Sequence, residues 1–447
     1  MNSDHPSRVQ SSTLSPKSRS FRYRLSRGLY SVLMTLIIPF ALLRLVWKSR
    51  RNPAYRRNMG QRLSFKLPQL NQTIVIHAVS VGETMAAAPF IRQLLQNSMY
   101  RDILVTSTTP TGSDRVTELF GTKIEQCLLP FDQNIFVKRF LNAVKPALVI
   151  VVETEIWPNL IYHCHLRKIP VLLANARLSE RSAKGYARIS WLIKPTLARI
   201  TTIATHASED RQRFLQNGAV PTQVHVIGSI KFDLDLPLNL LSASNAVRNS
   251  LSLEQRFIWV AASTHAGEEE QVLKAAKLVQ QTIPNALCVL IPRHAERFEA
   301  VARMLIQDRV PFQRHSQPKM MEPSIEVLLV DTMGELLTFY TLADAAFVGG
   351  SLVEVGGHNV LESLACETAT LVGPHMFNFQ SIYDMLSDYK AIVTVESSEQ
   401  LAKQLCRFAQ NQVLRDKLAA RGLEVMRRNR GALDKLTALC TFLLATH

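Results

Sequence analysis

Apolar and polar positions along this chain follow two rhythms, one of period two and one near 3.6. From Thr73 to Leu95 (TIVIHAVSVGETMAAAPFIRQLL) a short apolar strand runs into a turn containing Gly82 and then into a helix. The apolar residues at 87, 90, 91, 94 and 95 keep the spacing of one buried helical face. The same alternation continues, with strand-like runs at 74–79, 103–107, 147–152, 170–174, 200–204 and 223–227. Helical stretches lie between them at 134–143, 156–167 and 208–216. Residues 228–245 (GSIKFDLDLPLNLLSASN) interrupt it, and Pro237 with the Ser and Asn run suits a linker. The alternation then restarts, with strands at 257–262, 286–291, 325–330, 345–348, 369–372 and 391–394. Helices fit 267–281, 296–308, 359–366, 379–388 and 398–408, and two more fit 411–444. The pattern predicts two α/β domains in series, each a parallel sheet with helices on both faces, and a cleft between them.

The first sixty residues break this picture. Residues 1–20 are rich in Ser, Pro, Arg and Gln and read as a disordered tail. Gly28–Leu43 carries no charge, and the apolar run continues past Arg44 to Trp47, the lower end of what spans a bilayer. No small-residue cleavage site follows, so residues 21–58 read as a retained membrane anchor with basic flanks. Lys and Arg crowd both ends, which leaves orientation open, and also whether the helix crosses the membrane or lies on it.

Charge sharpens this reading. The chain of 447 residues has a net charge of +16, and residues 1–62 alone hold thirteen Lys/Arg against the single acid Asp4. Basicity therefore belongs to the membrane-proximal end, where it suits anionic lipid headgroups. The body lacks basic patches interleaved with aromatics, which speaks against nucleic acid. The six cysteines are scattered without a CxxC pair, as in a reducing, cytoplasmic compartment.

Candidate chemistry gathers at strand ends, the rim where open α/β sheets bind ligands. Glu83 stands at a helix start beside Ser80 and Gly82; it is either a general base or a carboxylate that only stabilises the helix. Glu153 and Glu155 follow the apolar strand 147–152 and suit either a ligand site or caps of a helix starting near Trp157–Pro158. Thr106–Gly112 (TSTTPTG) and Asn175–Arg181 (NARLSER) offer hydroxyls and arginines at the same rim, or ordinary turn chemistry. In the second half, Pro292-Arg293-His294 follows a strand, and an arginine there can hold a phosphate or carboxylate. Met333-Gly334-Glu335 opens a helix. Phe347–Glu362 (FVGGSLVEVGGHNVLE) places two Gly-Gly pairs in one strand-to-helix connection, where glycines let the backbone approach a ligand and the helix start attracts a phosphate, or where the loop is purely structural. Asp233-Leu234-Asp235 falls in the linker, and His163 and His165 do not share a helix face. P-loop, GxSxG and zinc spacings are absent, and nothing demands a metal.

Taken in order, HAVSVGET, TPTGSDRV, ETEIWPNLI, LANARLSERSAKGY, GSIKFD, PRHAERF, DTMGEL and GGSLVEVGGHNVLE resemble the Kdo transferases of Gram-negative bacteria over roughly residues 25–430. The resemblance implies a GT-B arrangement: an anchor helix, a Rossmann-like acceptor domain (59–235), a Rossmann-like CMP-sugar domain (246–430) and a C-terminal helix (431–447). It implies inverting transfer of 3-deoxy-D-manno-octulosonic acid (Kdo) from CMP-Kdo to a lipid A precursor, lipid IVA, at the cytoplasmic side of the inner membrane, without a cofactor or metal. Glu83 matches the family's catalytic base. Lys231 matches a lysine near the sugar carboxylate or phosphate, and Glu153 is expected as a further site-supporting residue. Pro292, Arg293, His294, Met333, Gly334, Glu335, Asn359 and Glu362 fall in motifs that hold CMP. Met85, Ser229, Val355 and Ser363 depart from the family pattern, which puts acceptor contacts in doubt more than the chemistry.

Overall fold

A computed structural model describes residues 16–50, 52–96, 102–317 and 320–446. The chain forms two compact units, one of residues 1–233 with 431–447 and one of residues 234–430. Of the expected N-terminal tail, residues 1–15 lie outside the described residues, and 16–20 are already helical. One continuous helix, Pro16–Lys48, takes up the first part of the expected 21–58 anchor, and a short 3-10 turn, Pro53–Arg56, follows it.

The first unit holds seven parallel strands: β1 (Thr73–His77), β2 (Ile103–Ser107), β3 (Glu125–Leu128), β4 (Pro146–Val152), β5 (Val171–Ala176), β6 (Thr202–Thr205) and β7 (Val224–Val226). Their order is β3-β2-β1-β4-β5-β6-β7. β1 is buried at all five positions, as a strand covered on both faces must be. Alternate residues feed the two faces. Ile74 and Ile76 join Ile91 and Leu94 of the Val81–Gln96 helix on one side. Val75 joins Phe140 and Leu141 of the Asn134–Val144 helix on the other. The C-terminal helix, Ala432–Thr446, completes the first of these cores through Leu433, Leu436, Cys440 and Leu443.

The second unit repeats the plan with β8 (Phe257–Thr264), β9 (Ala286–Pro292), β10 (Phe312–Arg314), β11 (Val327–Leu329), β12 (Ala345–Val348), β13 (Ala369–Val372) and β14 (Val393–Thr394), in the order β10-β11-β9-β8-β12-β13-β14. All its pairings are parallel.

Three local expectations are corrected. β3 and β10 carry no clear apolar run and escape the pattern: β3 is half exposed and β10 has three residues. The linker expected over 228–245 does hold the boundary between the units, Asp233 to Leu234, but it is not irregular throughout. Ile230–Phe232 forms a short 3-10 turn, and Leu240–Ser250 is a helix that contacts the Leu336–Leu342 helix. Asp233 accepts hydrogen bonds from Gly431 N (2.6 Å) and Leu433 N (2.7 Å), so half of the DLD string caps the C-terminal helix. All six cysteines are free, and four are buried.

Candidate active site

In the first unit the site is built at the carboxyl ends of β1, β4 and β5. β1 ends at His77, and the connection Ala78–Ser80 leads into the Val81–Gln96 helix. Ser80 and Glu83 form a reciprocal cap. Val79 N donates to Glu83 Oε2 at 2.7 Å, Ser80 Oγ to Glu83 Oε1 at 3.1 Å, and Glu83 N to Ser80 Oγ at 3.3 Å. Two of these bonds hold the carboxylate in one orientation. Burial raises its pKa, with Glu153 adding to the rise; Val79 N–H, Ser80 and Lys231 oppose it.

Glu153 leaves β4 in a left-handed conformation (φ 61°), and its N–H bonds Ala174 O at 2.8 Å. The strand has ended, so strand alternation is not what brings Glu153 and Glu155 together. The turn does, and both line one depression of about 340 Å³ with Glu83, Thr154, Arg177, Ser179 and Ser182. Burial, then Glu83 and Glu153, push Glu155 up to about 7. Lys231 Nζ lies 3.7 Å from Glu153 Oε1. Ser229 caps the turn that carries Lys231, and Asn175 Oδ1 accepts Ile230 N at 3.3 Å. The structure thus brings Glu83, Glu153 and Lys231 into one neighbourhood, with Glu155 and Arg177 added.

The capping alternative for Glu153 and Glu155 does not hold. Neither caps the Pro158–Leu166 helix; Asp132 does, accepting Asn159 N at 2.9 Å and Leu160 N at 2.8 Å. The TPTG turn is structural. Thr109 Oγ1 caps the next helix through Gly112 N, and a Cβ on Gly112 would meet that oxygen at 2.9 Å.

In the second unit the corresponding rim lies past β8, β9 and β12. Pro292 ends β9, and Arg293 and His294 are exposed beyond it. His265 and His358 stack at 5.0 Å with their Nε2 atoms 2.8 Å apart, and His294 meets His265 edge-on at 5.4 Å. Burial, then Arg293, His265 and His294, push His358 down to about 4. Asn359 Nδ2 donates to Glu362 Oε1 at 3.0 Å. Burial raises the Glu362 carboxyl, while Asn359 and Arg293 hold it down. Arg293, His294, Asn359 and Glu362 therefore converge. Met333, Gly334 and Glu335 sit past β11, where Glu335 accepts Thr332 Oγ1 and lies 3.3 Å from His315 Nε2. No hydrogen bond among the described residues ties them to the Arg293 group.

At the first Gly-Gly pair the structural alternative holds. Glu268 fills that nest, accepting Gly350 N (2.7 Å), Ser351 N (3.1 Å), Leu352 N (2.9 Å) and His265 N (3.3 Å). A Cβ on Gly349 would lie 2.6 Å from its Oε2, which explains the glycine. The expected helix over 359–366 shortens to Leu361–Ala365. Among the described residues no three His, Cys, Asp or Glu side chains form a metal-binding group.

Two family models divide the chain along these lines. Residues 56–234 match 3-deoxy-D-manno-octulosonic-acid transferase (kdotransferase), and residues 250–425 match glycosyl transferases group 1. The chain is 39% identical over 418 residues to a 3-deoxy-D-manno-octulosonic acid transferase of Haemophilus influenzae, covering 92% of this chain and 97% of that protein. This chain belongs to the 3-deoxy-D-manno-octulosonic acid transferase family. The Bordetella pertussis member is 34% identical over 379 residues, 80% of this chain and 85% of the relative. Among solved structures, UDP-GlcNAc 2-epimerase from Neisseria meningitidis bound to UDP-GlcNAc superposes with a TM-score of 0.54 at 13% identity, covering 84% of this chain and all of that one. That likeness shows the two-Rossmann fold alone.

As a Kdo transferase the chain is a glycosyltransferase, and its sites lie within the two matched regions. Sequence reasoning missed Glu268 and His265. A signal for Glu268 was present: STHAGEE after β8 has the same layout as AVSVGET after β1, an acid just beyond a glycine at a strand-to-helix turn.

Proposed function

We propose that this Kdo transferase moves Kdo from CMP-Kdo onto a lipid A precursor, lipid IVA, at the cytoplasmic face of the inner membrane, to which its N-terminal helix anchors it. The observation that carries this reading is the pocket holding Glu83 inside the region that matches the family, with one carboxylate held by Val79 and Ser80 and two more beside it.

In the reaction Glu83, ionised, accepts the proton of the acceptor hydroxyl as that oxygen attacks the anomeric carbon. The bond from that carbon to the CMP phosphate oxygen breaks, and the configuration inverts. A carboxylate with a raised pKa binds the proton more strongly than a free one, which suits this step. Glu153, at the end of β4, and Lys231, in the Ile230–Phe232 turn, support the site. In the second unit Arg293 and His294 offer positive or donor groups to the phosphate, and Asn359 and Glu362 offer a paired amide and carboxylate to the nucleoside. Pro292, Met333, Gly334 and Glu335 complete the CMP side of this reading, which routes no step through a metal.

The test is mass spectrometry of glycolipid products. Detergent-solubilised protein is given CMP-Kdo and tetraacylated, bisphosphorylated lipid A precursor, and the expected result is addition of whole Kdo units. A folded, CMP-binding preparation that yields no product overturns the acceptor assignment.

A further inference from the structure

We propose that the Pro16–Lys48 helix is an in-plane, one-leaflet anchor that does not cross the bilayer. This refines the membrane reading above and rests on it. The helix is long and apolar enough to span: an 18-residue window within Tyr23–Lys48 has a mean hydropathy of 2.1. Its two ends, however, are fastened to the same unit. At the first end Arg27 donates to Asn159 Oδ1 (2.9 Å) and stacks 3.9 Å over the Tyr162 ring. Tyr30 donates to Asp132 (3.0 Å), and Ser31 Oγ bonds Asn159 (3.2 Å). These partners are polar, buried and part of the first unit, so residues 23–31 cannot enter hydrocarbon without breaking them. At the other end Arg56 Nε donates to Ser49 Oγ (2.8 Å), and Arg62 reaches Thr108 O (2.6 Å) beside β2. The seventeen residues between Ser31 and Ser49 rise about 26 Å as a helix, short of a core about 30 Å thick.

The faces agree. Tyr23, Ser26, Ser31 and Ile38 are buried and fall on one side of the helix, which contacts the Pro158–Leu166 and Ser190–Leu197 helices. Leu25, Leu29, Val32, Leu36, Phe40 and Leu43 recur every three or four residues on the opposite side, each 59–73% exposed. An apolar stripe running from Leu25 to Leu43 of a docked helix fits the boundary between headgroups and acyl chains. Exposed Arg24, Arg44 and Arg50 border it, which selects an anionic leaflet over a second copy of this positively charged end.

The test places Arg24→Cys and Arg50→Cys, one at a time, in the full chain with partly exposed Cys366 and Cys406 replaced by serine. A membrane-impermeant maleimide is added outside sealed, inside-out inner-membrane vesicles. Equal labelling of both positions is expected; protection of either until detergent is added overturns the proposal. As a second measurement, Leu36→Glu with Phe40→Glu should lower partition of purified protein onto phosphatidylglycerol vesicles by about tenfold or more. Unchanged partition overturns the proposal, and if the same pair of substitutions dissolves a lipid-free dimer, a second copy covers the stripe instead. Kdo transfer to a short-chain, water-soluble acceptor is read separately, so failure of the reaction and failure of the topology are distinguishable.

Discussion

Glu83 and Glu268 occupy matching places in the two units. Each follows a central strand of a seven-stranded parallel sheet, each lies just past a glycine, and each stands at the start of a helix. Their surroundings differ. Glu83 takes one backbone N–H and one hydroxyl, and its carboxylate lines an open depression. Glu268 is fully buried and takes four backbone N–H groups from the loop after β12 and from His265. A carboxylate saturated by amides has no lone pair free for a substrate proton, whereas a half-satisfied one at a pocket wall does. The same residue at the same topological point thus serves proposed chemistry in one unit and architecture in the other.

Substitutions can break or sharpen this contrast. The largest effect is expected from Glu83→Gln, which keeps the cap's shape and removes the base: the transfer rate should fall by about 10²–10⁴-fold with little change in melting temperature. Rate assays with calorimetry on the same preparation check both halves. Next comes Glu268→Ala, which strands several buried amides and should cost about 3 kcal/mol or more of stability in the second unit, seen as a lower denaturation midpoint. Arg293→Ala should raise the KM for the CMP-sugar about 10–100-fold, as expected for a lost charge-assisted contact, and leave thermal stability unchanged because Arg293 is exposed.

The smallest effect concerns pH. Glu83 must be ionised to act, so activity rises with pH through its raised pKa. Glu153 contributes to that rise. Glu153→Gln should therefore move the acid limb of the rate profile to lower pH, by less than about one unit. A shift to higher pH would contradict the assigned neighbourhood.

Much of this molecule was legible in its pattern of apolar residues. Buried parallel strands such as β1, β4, β8 and β9 announce themselves as apolar runs, and helix faces such as 87, 90, 91 and 94 by their spacing. β3 and β10 were not legible, because edge strands bury little and need no apolar run. The linker that became a helix and the DLD string that became a cap depend on contacts from distant positions, Asp233 with Gly431 above all. At the sites, Glu83 and Glu153 could be picked out as acids at strand ends. That Asp132 rather than Glu153 caps the 158–166 helix, and that Glu268 rather than a phosphate fills the Gly-Gly nest, is decided by tertiary geometry. Local sequence holds the donors and acceptors but not their pairing.

The decisive measurement is the single-turnover rate of Kdo transfer at saturating donor for Glu83→Gln and Glu268→Gln, with both preparations matched for folded protein. A rate lowered at least about a hundredfold for Glu83→Gln and within about tenfold of wild type for Glu268→Gln is expected. A Glu83→Gln protein that transfers Kdo at the wild-type rate would contradict the assignment of Glu83 as the base.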